Sequence, residues 1–170
     1  MTDPDAAEWQ TMTSRSMHSV SCLARPVARS EIAELVIMCA EHARYERSEY
    51  EACGISEKLQ RSIFDNSARL KAWVAQSQGQ LIGYATATGE YSTWSAREFL
   101  HMDCLFVREA FRGGGVGSAL LAQVLRYAGE QGFAQVQWQT PMWNEDAQRF
   151  YCREGASALP KVRFVLAIAK

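Results

Sequence analysis

Val107-Arg108-Glu109-Ala110-Phe111-Arg112-Gly113-Gly114-Gly115-Val116-Gly117-Ser118-Ala119-Leu120-Leu121 is the stretch from which the rest of the chain is read. An apolar strand enters a glycine-rich turn, and a helix leaves it. Glycines there allow positive φ and bare the backbone N–H groups. Those donors, with the positive end of the helix dipole, make a site for an anion such as a pyrophosphate. Arg112 adds a fixed charge whose planar fork matches phosphate oxygens. The plainer alternative is a tight strand-to-helix turn without a ligand. Three successive glycines, with Gly117 beyond them, are a wasteful way to build one, since each adds entropy to the unfolded chain. A P-loop would need a Lys after its last glycine, and none follows. A dinucleotide fingerprint fails too: counted from Gly115 its third glycine falls on Leu120, and counted from Gly113 it falls on Ser118.

Working outward, strands and helices alternate. Before the loop, Glu98–Val107 reads as a long strand. Lys71–Gln76 and Gln80–Thr88 form a hairpin about Ser77-Gln78-Gly79. Gly89 to Ala96 reads as a loop carrying Tyr91 and Trp94. Further upstream, Ser21–Arg25 is a short strand ended by Pro26. Ser30 stands where a helix N-cap belongs, and Ile32, Leu35, Val36, Cys39, Ala40 and Ala43 follow at helical spacing. A second helix starts near Ser56. After the loop, Val116, Leu120, Leu121, Val124, Leu125 and Ala128 mark one helical face. Ala134–Gln139 alternates as a strand and Pro141 stops it. A helix from Glu145 to Arg153 and a last strand, Val162–Ile168, complete the chain. The order predicts an α/β (α+β) fold with a mixed sheet and packed helices.

Length and composition narrow the function. With 170 residues, 48% hydrophobic and 22% charged, the chain is expected to form a single domain over 20–170, with 1–19 a flexible extension. A net charge of −1 excludes a broad basic surface for nucleic acid. No apolar run reaches the roughly 20 residues of a membrane span. The five cysteines are scattered without a C-x-x-C pair, so no metal site is expected and the thiols read as reduced, cytoplasmic ones.

Arg112-x-x-Gly115-x-Gly117, after a strand and before a helix, resembles the coenzyme A loop of the GNAT superfamily of N-acetyltransferases. Downstream, Trp143-Asn144-Glu145-Asp146-Ala147-Gln148-Arg149-Phe150-Tyr151-Cys152-Arg153-Glu154-Gly155-Ala156 is similar to that family's Asn-x-x-Ala-x-x-Phe-Tyr-x-x-x-Gly segment. The resemblance spans nearly all of Ser21 to Ile168. It implies a mostly antiparallel sheet with a splayed central parallel pair, Glu98–Val107 and Ala134–Gln139, and helices on both faces. It also implies transfer of acetyl from acetyl-CoA to an amine, directly through a ternary complex. Backbone groups of Leu105, Phe106 and Val107 would pair with pantetheine. Arg112, Gly113, Gly114, Gly115, Val116, Gly117 and Ser118 would hold the pyrophosphate. Asn144, Ala147, Phe150 and Tyr151 would meet the pantetheine arm and the thioester.

An alkyl amine has a pKa of ~10.4, so at pH 7 about one molecule in a few thousand is nucleophilic, and a base is useful. In Leu100-His101-Met102-Asp103-Cys104-Leu105-Phe106-Val107, Asp103 stands where the diamine acetyltransferases carry a catalytic Glu. It is one methylene shorter, so a water is expected to bridge. Strand alternation places His101, Asp103 and Leu105 on one face and Met102, Cys104 and Phe106 on the other. His101, with an ordinary pKa of ~6.5, is the reserve base. Tyr151 would return a proton to the leaving thiolate. That transfer is uphill by about 2 kcal/mol from ordinary values, so it must be tuned or concerted.

Within the superfamily the pattern is closest to the diamine (spermidine/spermine-type) acetyltransferases. The expected acceptor is a small-molecule primary amine, a polyamine, diamine or lysine-like amino acid. Tyr45, Glu46, Glu49, Trp94, His101 and Asp103 are the candidate substrate residues. Arg44 and Arg47 interrupt the acidic run, so a solvated helix end of mixed charge is the competing reading there. A homodimer is expected from relatives of this type. The rival functions are an acetyltransferase for an antibiotic or protein amine, a non-catalytic acyl-CoA-binding module, and a nucleotide-binding regulatory domain.

Overall fold

The computed structural model describes residues 20–168. The expected extension, residues 1–19, lies outside them. The described residues fall into two compact units, 20–137 and 138–168. In the first, five strands form one sheet in the order β1-β2-β3-β4-β5. They are β1 Leu23–Pro26, β2 Leu70–Ser77, β3 Gln80–Ser92, β4 Arg97–Val107 and β5 Val136–Gln137. The first four pair antiparallel, and β5 lies parallel to β4. Helices α1 (Ile32–Tyr45), α2 (Ile55–Phe64) and α3 (Val116–Glu130) belong to this unit, and α4 (Glu145–Arg153) to the second.

Gln78 and Gly79 join β2 to β3 with φ of 49° and 81°. Positive φ at both central residues gives a turn whose twist matches the flanking strands. β3 runs on to Ser92, past the expected end at Thr88, so Tyr91 belongs to a strand and the β3–β4 turn shrinks to residues 93–96. The expected cap of α1, Ser30, sits instead in a 3-10 turn over Arg29–Glu31. The α1 N-cap position falls to Glu31, whose side chain makes no cap bond to the helix and instead closes the 3-10 turn: its carboxylate accepts from the Ala28 N–H at 2.8 Å and is held by Arg25 at 2.7 and 2.9 Å.

Side-chain alternation along β2 and β3 sorts the core onto both faces of the sheet. Tyr84 packs with Leu35 and Met38 of α1 and with Val74 and Phe106. Its neighbour Gly83 faces the other way. A Cβ there would lie 2.6 Å from the Phe106 carbonyl oxygen and 3.2 Å from Leu120 Cδ1 of α3. Glycine at 83 is therefore what lets α3 and β4 approach β3. Val116, Leu120, Leu121, Val124 and Ala128 bury the apolar face of α3, each such side chain contributing on the order of 1.5–3 kcal/mol for the larger ones.

One arginine fastens α1 to the end of β4. Arg108 donates to Glu41 at 2.8 and 2.9 Å, to Glu34 at 2.8 Å and to the Leu81 carbonyl at 2.7 Å. Arg108→Met leaves two carboxylates and a carbonyl without this donor. It should lower the unfolding free energy by about 2 kcal/mol, read as a fall of roughly 4–8 °C in Tm. An unchanged melt would show that the network contributes nothing.

In the second unit, residues 154–168 contain no helix or strand. The expected strand Val162–Ile168 is absent, and Phe164 and Ile168 are 90% and 82% exposed. An apolar run becomes a strand only when a neighbour completes its ladder, and the described residues of this unit contain no strand to do so.

Candidate active site

The ladder between β3 and β4 slips at one place. Thr86 faces Cys104, and the next residue, Ala87, faces Met102. Asp103 is the extra residue of a β-bulge. Bulges bend a strand and re-aim a side chain, and they concentrate beside active sites. The slip also corrects the expected alternation. Thr86 and Ala87 point to opposite faces, so Cys104 and Met102 do as well. His101, opposite Thr88, shares the α1 face with Cys104 and Phe106, while Leu105, opposite Ala85, lies on the α3 face. Asp103 is exposed between them.

The same strand parts from β5 just before the bulge. Parallel pairing covers Leu100 with Val136 and His101 with Gln137. From Met102 to Val107, β4 continues without a β5 rung. The backbone of Leu105, Phe106 and Val107 thus lies on a stretch of edge that an extended ligand can pair with.

β4 then passes through a 3-10 turn, Glu109–Phe111, into the glycine loop. Gly113 and Gly115 have φ of 77° and 86°, and a Cβ on either would meet nothing within 4 Å. Gly114 is needed for a different reason. Its carbonyl accepts from the Val20 N–H at 3.0 Å, and a Cβ would run into Val20 Cγ2. Gly113, Gly114 and Gly115 are thus accounted for by the turn itself. What favours an anion is the helix they open: the first turn of α3 carries no acidic residue and its N-cap makes no side-chain cap bond, so the positive end of the helix dipole lies at the loop. Gly115→Ala should cost about 1 kcal/mol of stability through the left-handed backbone and weaken coenzyme A binding, read by thermal melting and titration. Unaltered affinity would remove the loop from the binding site.

Arg112 is less free than the sequence suggests. Its Nε donates to the Val107 carbonyl at 2.9 Å, and its guanidinium lies 4.3 Å from the Tyr45 ring centre and 5.9 Å from that of Phe106. It joins the loop to the end of α1, a cation–π contact with a candidate substrate residue. Glu46, the next residue, faces His42 at 3.4 Å. Glu49 is exposed in the loop after α1. Trp94 is fully exposed at the tip of the β3–β4 hairpin. Six rungs separate that tip from the bulge, roughly 20 Å at the strand rise. The structure does not bring Trp94 to Asp103.

Sequence reasoning missed His42 and Tyr84. The Tyr84 side chain is buried, and its hydroxyl lies 2.9 Å from His42 Nδ1. His42 stacks on Phe106 with ring centres 5.1 Å apart. Burial lowers the imidazole's affinity for a second proton, against the pull of Glu46 and Asp103. Burial likewise raises Tyr84 and pushes Cys104 up to about 12. The signal was a lone polar residue inside the apolar spacing of α1. Below the ordinary histidine value of about 6.5 the unfolded chain takes up a proton that the folded His42 resists. This group's contribution to stability is therefore present above that pH and declines as pH falls through it. Wild type should lose more unfolding free energy than His42→Asn between neutral and mildly acidic urea titrations. Equal losses would contradict the assignment.

In the second unit, Asn144 caps α4. It is buried, and its Oδ1 accepts from the Ala147 N–H at 3.2 Å. Tyr151 is half-buried and packs against Trp138 and Phe150, with ring centres 4.9 and 5.0 Å away. Asn144, Ala147 and Tyr151 therefore stand along one helix, as their spacing predicts. Among the described residues, no group of three or more His, Cys, Asp or Glu is placed to hold a metal ion.

Residues 32–155 match the sequence model of the acetyltransferase (GNAT) family. A thialysine N-epsilon-acetyltransferase of Mus musculus is 27% identical over 143 residues, which cover 79% of this chain and 84% of that one. Its counterpart from Caenorhabditis elegans is 28% identical over 118 residues, 69% and 72% of the two chains. In fold the chain is similar to an aminoglycoside acetyltransferase from an uncultured soil metagenomic sample, solved with sisomicin. The TM-score is 0.73 at 17% identity, over 88% of this chain and 97% of that one.

Proposed function

The chain belongs to the acetyltransferase (GNAT) family and is an acyl-CoA-dependent N-acetyltransferase; we propose that its donor is acetyl-CoA and its acceptor the primary amine of a small molecule, a diamine, polyamine or lysine-like amino acid. One observation carries this reading. The bulge lifts Asp103 out of the ladder at the point where β4 leaves β5, on the strand that leads into the glycine loop. Relatives named for acetylating thialysine, an amino acid, support the acceptor class.

The residues present fit the coenzyme. The backbone of Leu105, Phe106 and Val107 lies beyond the last β4–β5 rung, with the Val107 carbonyl held by Arg112, and the loop Gly113–Ser118 leads into a first helical turn without a competing carboxylate. Arg112 shapes that loop by its hold on Val107 and Tyr45. Asn144, Ala147 and Phe150 complete the coenzyme side of the reading. When bound, acetyl-CoA supplies an activated acyl carbon and a thiolate leaving group. Asp103 takes a proton from the acceptor ammonium, through a water that makes up for its short side chain. At pH 7 that step recovers a nucleophile otherwise present at about one part in a few thousand. Tyr151 gives a proton to the departing sulfur. Tyr45, Glu46 and His101 border the acceptor side. The same reading carries a homodimer in the cytoplasm. Among the described residues no helix is long and apolar enough to cross a membrane.

The test is thiol release from acetyl-CoA across diamines, polyamines, lysine-like amino acids, aminoglycosides and peptides. Turnover is expected on the first three classes. Preference for aminoglycosides or peptides would overturn the acceptor class. Coenzyme binding with no turnover on any amine would favour an acyl-CoA-binding module instead.

A further inference from the structure

The stretch that enters the fold is tied to the glycine loop before β1 begins. Two successive residues are pinned. The Val20 N–H donates to the Gly114 carbonyl at 3.0 Å, and the Ser21 carbonyl accepts from Ser77 Oγ, at the end of β2, at 2.8 Å. Leu23 then starts the β1–β2 ladder opposite Gln76. The loop has its own anchors on either side of that contact. The Arg112 N–H donates to the Glu109 carbonyl at 3.1 Å, and the Ala119 N–H donates to the Gly115 carbonyl at 3.0 Å. Between them the Gly114–Gly115 peptide is where rotation is cheap, because glycine on both sides tolerates either orientation. The Val20 bond selects one. The Gly114 carbonyl and the Gly115 N–H belong to one planar trans peptide and point opposite ways. Holding the carbonyl toward Val20 therefore sends the Gly115 N–H to the far side of the loop. Gly115 is left-handed, with φ of 86° and ψ of −2°, and Val116 after it is helical. A left-handed residue followed by a right-handed one turns three successive N–H groups, here those of Gly115, Val116 and Gly117, toward one concave side.

We propose that Val20 is a positioning residue for the coenzyme: its backbone N–H holds the Gly114 carbonyl away from the concave side of the loop and so keeps the Gly115 N–H aimed at the pyrophosphate. The proposal rests on the reading of this loop as the pyrophosphate site. With that peptide flipped, a carbonyl oxygen would stand where a donor is needed and would repel the anion. A loop free to flip would also have to be ordered on binding, which lowers affinity. The approach is backbone to backbone. A Cβ on Gly114 would lie 3.0 Å from Val20 Cβ and 3.2 Å from Val20 N, and it would run into Val20 Cγ2. Glycine at 114 is what admits the contact. Closing the end of the sheet explains the bond between Ser21 and Ser77, but not a donor set on the middle peptide of the loop.

The experiment uses the full chain and reads coenzyme A affinity by titration. Val20→Pro deletes the N–H, and Gly114→Ala pushes the two backbones apart. Each is expected to weaken coenzyme A binding about tenfold, the size of one hydrogen bond. In turnover each should raise KM for acetyl-CoA and leave kcat at saturation near wild type. Both break the same contact, so the double variant should lose no more than either alone. Val20→Ala keeps the N–H and should recover most of the affinity. S-acetylpantetheine, a donor without the pyrophosphate, should react equally well with wild type and with Val20→Pro. Equal losses with both donors would make the contact a matter of general folding and overturn the proposal. Wild-type coenzyme affinity in Val20→Pro and Gly114→Ala, with Gly115→Ala weakened, would overturn this proposal alone. Wild-type affinity in all three would overturn the pyrophosphate reading and this proposal with it.

Discussion

Asp103→Asn should lower kcat/KM for the amine by roughly 10²–10⁴, while coenzyme A affinity and the melting temperature stay near wild type. The size follows from the acceptor. An alkyl ammonium at pH 7 must lose a proton that about one molecule in a few thousand has already lost. Asparagine keeps the shape and cannot take that proton. It is cheap structurally because Asp103 is exposed and sits outside the regular β3–β4 pairing. The loss should shrink as the pH rises toward the amine's own pKa, since bulk solvent then supplies the neutral nucleophile. A deficit that stays constant up to high pH would assign Asp103 to binding or structure. A full-rate variant would move the base role to His101 or to water.

Tyr151→Phe should lower kcat by roughly 10–100-fold with little change in coenzyme affinity. Phenylalanine preserves the ring contacts with Trp138 and Phe150, so the variant isolates the hydroxyl. The effect should be smaller than for Asp103. A thiolate with an ordinary pKa near 8.5 leaves without much help. Unchanged turnover would remove Tyr151 from the chemistry. Lost coenzyme binding would make it a wall of the site rather than an acid.

The loop and its helix were legible because glycine and apolar periodicity are local signals. Val116 to Ala128 reads as helix whatever surrounds it, and Asn144 caps α4 as its position predicts. The glycines were less decisive than they looked, since Val20 and two positive φ values explain Gly113, Gly114 and Gly115 without any ligand. The bulge was invisible. Leu100, Met102, Cys104 and Phe106 alternate as though they shared one face, and only the partner strand shows that the faces exchange at Asp103. His42 and Tyr84 were hidden for a similar reason. Each is a single polar-tipped residue among apolar ones, and their pairing joins positions far apart in sequence. Val162–Ile168 failed in the opposite direction, because a strand-like composition carries no information about whether a neighbour exists.

The central claim is tested most directly by identifying the product formed when the full chain, acetyl-CoA and a lysine-like amino acid or diamine are mixed. The account predicts that the amine gains one acetyl group at its terminal nitrogen, with one thiol released for each. Coenzyme bound at the glycine loop, with no acetylated amine and no thiol beyond the spontaneous background, would contradict it.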